Sequence, residues 1–325
     1  MSPSSPGARR GRLSPSRRVV GWLQVAASVG LLALVLSWFD SGALRARLGA
    51  VELPWLLLAL AVVTAQIAML GTRWWYLAQR LGVGLPWRRA FAEYALSTLL
   101  NQTLPGGIAG DALRGLRHHR AVGAAPVDHA GTRVVLTLLL DRLSGQVALW
   151  AVVLASAPAW WAAVRLSAGE RNALIALPLA AGLLLAAAWA ATRRRPFRAA
   201  LREVLARGGR AALTPASSAL HLGLSLALIA THLIVFWCVA RSMAIPFTPS
   251  AVLRVVPLLL VVSSIPAFFS GWGIREATAA ALFQLIQLPA SDGASVSLVF
   301  GAVSLIGSVP GVLALRAVPR RPALG

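Results

Sequence analysis

Of 325 residues, 58% are hydrophobic and 13% are charged, with a net charge of +21 and a mean hydropathy of +0.72. Soluble chains carry roughly 25% charged residues, so this chain cannot cover a water-facing surface, and an ordinary soluble enzyme is excluded. Every basic residue is arginine, which excludes Schiff-base lysines and Walker-type phosphate loops. The arginines lie between apolar stretches, so they read as membrane-orienting residues and not as a nucleic-acid surface.

Residues 1–18 are rich in Ser, Pro and Arg and read as a disordered basic cytoplasmic segment. Val19–Phe39 is longer than a signal-peptide apolar core and is predicted to be a retained first span. Five more stretches are predicted as full crossings: Pro54–Gly71, Val134–Ala157, Asn172–Ala191, Ser218–Ala240 and Ala294–Leu315. Each must be helical, because a helix satisfies its own backbone hydrogen bonds in lipid. Two apolar regions are interrupted. Phe91–Leu104 breaks at Pro105-Gly106-Gly107, and Val252–Phe269 breaks at Ser270-Gly271-Trp272-Gly273. Both are predicted to be re-entrant hairpins or broken helices.

The expected fold is therefore all-α, a polytopic membrane helical bundle of about six full spans plus two hairpins. Its single transmembrane domain covers residues 19–316, with a basic cytoplasmic loop at 192–214 and a basic cytoplasmic tail at 317–325. Counting arginines with both hairpins re-entrant puts about 23 on the cytoplasmic side of an inner membrane and about 6 outside, with both termini cytoplasmic. One hairpin then enters from each side, the arrangement of an inverted-repeat transporter. The basic stretch 193–210 reads as a solvated loop, or as an interfacial helix that recruits anionic lipid.

Three constellations carry charge into the membrane, where each charge costs about 2.5–3.5 kcal/mol on insertion scales. The first is Asn101, Pro105, Gly106 and Gly107, followed by Asp111 and Arg114, which share a helix face. Glycines before a helix start expose backbone N–H groups, a natural anion site. The second is Gly271, Trp272 and Gly273, followed by Arg275 and Glu276. Successive helical residues point about 100° apart, so these two charges need not pair with each other, and each is free to meet a partner on the other hairpin. The third is Asp141-Arg142 inside a full crossing. Arg133 and Glu93 lie nearer an interface, where snorkelling is cheaper. His221 and His232 fall on nearly one helix face, suited to hydrogen bonds with a neighbouring helix or to a proton relay. The lone Cys238 allows no disulfide framework. No catalytic residue, metal or cofactor is assigned, and no hydrolase or zinc motif occurs.

Leu104-Pro105-Gly106-Gly107 with Gly110-Asp111 and Arg114, then Asp141-Arg142-Leu143-Ser144-Gly145, then Gly271-Trp272-Gly273-Ile274-Arg275-Glu276 occur in order. Ser297-Leu298-Val299-Phe300-Gly301 and Pro310-Gly311 follow. The set resembles the flippase-like lysylphosphatidylglycerol synthase transmembrane-region family over nearly the whole chain after residue 18. The resemblance implies movement of an anionic, aminoacylated or isoprenoid-linked lipid between leaflets, with membrane lipids as partners. Full synthases of that family carry a soluble aminoacyltransferase domain, and none is expected here. In this picture Arg114 and Arg275 hold an anionic headgroup where the hairpin tips meet. Asp111 and Glu276 pair with them when the site is empty, or meet a cationic group of the headgroup. A membrane-embedded enzyme using Asp111, Asp141 or Glu276 is one alternative; a non-catalytic envelope-biogenesis scaffold is another.

Overall fold

The computed structural model describes residues 51–104, 108–122, 130–163, 214–264 and 272–316, together with Gly30, Gly42 and Gly49. The predicted spans Val19–Phe39 (Gly30 apart, which is helical) and Asn172–Ala191, the 193–210 stretch and both terminal segments lie outside the described residues. Among the described residues there are helices and no strands. They are α1 (Leu53–Arg80), α2 (Trp87–Thr103), α3 (Ala109–Val122), α4 (Ala130–Ala163), α5 (Pro215–Ser242), α6 (Pro249–Ser263), α7 (Ile274–Leu285) and α8 (Ala290–Ser308). A 3₁₀ turn (Val309–Val312) and a last helical turn α9 (Leu313–Arg316) follow.

Leu53–Arg80, Ala130–Trp160, Pro215–Ser242 and Ala290–Val312 are long and apolar enough to cross a membrane, and the chain is a polytopic helical membrane bundle. α5 and α6 start alike. Thr214 and Thr248 each accept a capping bond, from Ser217 N–H and Ala251 N–H at 3.3 Å, and a proline follows at the first helical position. α1 runs nine residues past the predicted end at Gly71, so Arg73 is a buried residue of the helix and not part of a loop.

α1 and α5 run antiparallel. Their contacts step along both helices, from the Glu52 N–H to Ser242 carbonyl bond (2.8 Å), through Trp55 against Trp237, to Gln66 with His232 and Arg73 with Ser225. The end of the bundle at Arg80 also holds Arg88, Arg89, Arg117, Arg120 and Arg133; the other end holds Glu52, Arg241 and Arg254.

α2 and α3 form an antiparallel hairpin that rises from the arginine-rich end. Asn101 bonds Gly110 nearest the turn, Ser97 bonds Asp111 below it, and Glu93 pairs with Arg117 at the base. α6 and α7 form the second hairpin, closed at its base by Phe247 stacked on Phe283 at 4.8 Å. It descends from the opposite end, where the Trp160 indole N–H donates to the Arg254 carbonyl at 3.1 Å. The four limbs have 17, 14, 15 and 12 residues, about 18–25 Å each, short of the ~30 Å hydrocarbon core. The two hairpins therefore enter from opposite ends, as the arginine count predicts. Among the four described spans α8 is the most enclosed, with 56% of its apolar window buried against 22% for α1 and α4.

Candidate functional site

The first hairpin is built for close approach. Gly110 on α3 packs on the backbone of Ser97 on α2, and any β-carbon there would collide with the Ser97 carbonyl. This contact brings Asp111 within reach of α2. Ser97 Oγ donates to Asp111 Oδ1 at 2.9 Å, and Asn101 Nδ2 donates to Oδ2 at 3.2 Å. Arg114 pairs with Asp111 at 3.0 Å, as the three-residue spacing predicts. Its guanidinium lies over the Tyr94 ring (4.0 Å) and the Trp74 ring (4.6 Å).

α4 completes this cluster. Asp141 is fully buried and accepts from Arg73 Nε (2.8 Å), Arg114 Nη2 (3.3 Å) and the Tyr94 hydroxyl (2.9 Å). Arg73 also donates to Ser225 Oγ on α5 at 3.0 Å. Arg142 bonds Asp111 and is 45% exposed, in contrast to the buried Arg73 and Arg114. Among the described residues, three guanidinium groups thus face two carboxylates, leaving one positive charge in surplus. Arg142 carries that surplus, because it is the one of the three that is open. Nearer the hairpin base, Glu93 is buried and paired with Arg117 at 2.8 Å, and Arg117 also donates to the Ala314 carbonyl. Glu93 is therefore locked in an ion pair and does not snorkel.

The second hairpin differs. Gly273 has φ +87°, a backbone conformation open to glycine, and its N–H donates to Glu276 Oε2 at 2.6 Å. Glu276 thereby caps α7 at its N-terminus. Its other oxygen accepts from Arg275 Nη2 (2.8 Å) and from Ser297 Oγ (3.0 Å), and Arg275 Nε donates to Ser297 Oγ (3.0 Å). Of the two arrangements open to Arg275 and Glu276, a partner on the other hairpin or each other, they adopt the second: they pair with each other. Their long side chains curl back to meet at Ser297, which the 100° step between α-carbons does not prevent. Trp272 and Phe300 cover the Arg275 guanidinium (4.9 and 5.5 Å), and Gly301 leaves room for it.

The two clusters face adjacent cavities. One of about 290 Å³ is lined by Arg73, Asn101, Asp111, Asp141 and Arg142. Another, of about 200 Å³, is lined from the first hairpin by Thr98 and Gln102 and from the second by Ser263 and Arg275. Leu70, His232 and Leu260 border both. His232 Nδ1 donates to the Leu228 carbonyl at 2.8 Å, which leaves Nε2 to accept from the Gln66 amide at 2.8 Å. The described limbs of the two hairpins thus line adjacent cavities with shared walls, while their charges remain in separate clusters.

Asn101, Asp111, Arg114, Asp141, Arg142, Trp272, Gly273, Arg275 and Glu276 all belong to these clusters. Pro105, Gly106, Gly107 and Gly271 lie outside the described residues. Sequence reasoning missed Arg73, Tyr94, Glu93 with Arg117, and Ser297. The run Trp74-Trp75-Tyr76 was the available signal for Arg73, since it carries an apolar face beyond Gly71. Among the described residues, no group of three or more His, Cys, Asp or Glu is placed to hold a metal. Residues 21–311 match the family model described as Lysylphosphatidylglycerol synthase TM region. No match was found among curated proteins or among solved structures.

Proposed function

The chain belongs to the lysylphosphatidylglycerol synthase transmembrane-region family, a membrane family of lipid or envelope biosynthesis, and from that premise we propose that it moves an anionic lipid between leaflets. The observation that carries this reading is the surplus guanidinium of Arg142, half exposed at a cavity between opposed hairpins. A phosphate headgroup would displace Arg142 from Asp111. Asp111 would stay held by Arg114, Ser97 and Asn101, so the exchange leaves no buried carboxylate unpaired. Arg275, under Trp272 in the neighbouring cavity, would be the next cation on the path, and acyl chains would stay in lipid. The arginine-rich end would face the cytoplasm of the inner membrane.

Purified protein in vesicles holding a fluorescent anionic phospholipid tests this, with dithionite quenching as the readout of leaflet exchange. The expected result is protein-dependent exchange that falls at least about tenfold in Arg142→Gln, a loss of ~1.4 kcal/mol. The proposal fails if no anionic lipid exchanges, or if the variant matches the wild type. A new lipid product in the same vesicles would instead establish an enzyme.

A further inference from the structure

Among the described residues away from these clusters, one buried ring has neither of its nitrogens partnered. His221 on α5 is 7% exposed, and neither of its ring nitrogens makes a hydrogen bond. An unmade bond of this kind costs about 1–3 kcal/mol. The ring lines a groove of about 310 Å³ whose apolar walls come from α1 (Leu77), α4 (Leu140, Leu143, Val147) and α5 (Leu222). Leu143, Val147 and Leu222 are exposed, so the groove opens outward. All three helices are spans, so outward means toward lipid.

Depth identifies what fits. α5 has 28 residues, a length of ~42 Å, which matches the ~40–45 Å of a bilayer with its headgroups. His221 lies in its second turn, ~9 Å from the helix start, where headgroups give way to acyl chains. Tyr76 marks the same level. Its ring is 5.4 Å from the His221 ring, and its hydroxyl accepts from Arg80 Nη2 at 2.9 Å, the placement of an interfacial tyrosine.

We infer that this groove holds one acyl chain of a diacyl phospholipid, with the chain's ester carbonyl accepting a hydrogen bond from His221. A neutral imidazole offers one donor and one acceptor. The ester carbonyl meets the donor at the depth where the chain begins, and interfacial water meets the acceptor. Ser225, one turn further along α5, receives Arg73 of the charged cluster at 3.0 Å. The groove therefore leads sideways from the bilayer to that cluster. Its role as the entrance rests on the translocase reading; the binding itself does not.

The full chain, reconstituted with a phosphatidylglycerol carrying a diazirine on one acyl chain, tests the groove by mapping photoadducts with mass spectrometry. Adducts at Leu143 and Val147 should exceed those at Leu154, which is 69% exposed on the same helix but outside the groove. His221→Phe should lower the groove adducts about fivefold, the equivalent of one bond of ~1 kcal/mol, and leave Leu154 unchanged. Val147→Trp, which fills the groove, should do the same without touching His221. Equal yields at groove and control, or yields unmoved by both variants, would each overturn the inference. Groove adducts without leaflet exchange would overturn the translocase reading alone, and exchange without groove adducts would overturn the groove alone.

Discussion

The first hairpin sets Asp111 and Arg114 against Arg73, Asp141 and Arg142 from two other helices, whereas the second closes Arg275 onto its neighbour Glu276 and the Ser297 hydroxyl. Both place opposite charges just after a break in an apolar stretch. One becomes a cross-helix network with a surplus cation; the other becomes a local, neutral pair that caps its own helix. A network tied to several helices couples its charge state to their packing. A local pair needs only its own turn and one hydroxyl.

The sharpest way to break this comparison is Asp141→Ala. It leaves the buried Arg73 without a carboxylate and Arg114 with Asp111 alone, and breaking a buried pair costs about 3–5 kcal/mol. Thermal melting in detergent should show a large loss, with little folded protein recovered; near-wild-type melting would mean that the network is not what joins α1, α3 and α4. In the second hairpin, Arg275→Met alone should destabilise, while Arg275→Met with Glu276→Gln should recover most of the loss, because a local pair can be removed as a unit. Failure of that recovery would give the second cluster wider connections than those described. Gly110→Ala should cost about 1–3 kcal/mol by forcing the limbs of the first hairpin apart, a loss that melting curves will resolve. Gly273→Ala should cost about 1–2 kcal/mol from its positive φ, and an unchanged melting point would show that the turn relaxes. The smallest shift in stability belongs to Arg142→Gln, within ~1 kcal/mol for a half-exposed ion pair, although leaflet exchange should fall most there. The two ends can be told apart by thiol labelling. A cysteine in place of Arg120 should resist an impermeant reagent added to intact cells, and one in place of Ser250 should react.

Four of the predicted spans and the two breaks were legible in the sequence because they depend on local hydropathy and on glycine and proline. The opposed entry of the hairpins was legible too, because arginine distribution constrains every crossing at once. The pairing was not. Arg73 looked like a loop residue because the apolar run dips at Gly71-Thr72, yet Trp74 continues the helix and buries it. Tyr94 and Ser225 join Asp141 and Arg73 from far along the chain, and no spacing rule reaches that far. Ser297 lay inside a motif whose family resemblance was visible while its physical purpose was not: its hydroxyl and the missing side chain at Gly301, one turn on, together make the bed for Arg275.

The surplus arginine has an electrical consequence. A guanidinium does not lose its proton at any physiological pH, and Arg142 is anchored to a spanning helix. If the proposed function holds, a headgroup that crosses would leave its counter-charge behind and carry its own negative charge through the membrane field. A potential of 100 mV acts on one such charge with about 2.3 kcal/mol, equivalent to roughly a fiftyfold ratio between leaflets. On the proposed function, and with the cell interior negative, the potential alone would drive an anionic lipid outward without a nucleotide. Collapsing the potential should erase the bias while leaving the exchange.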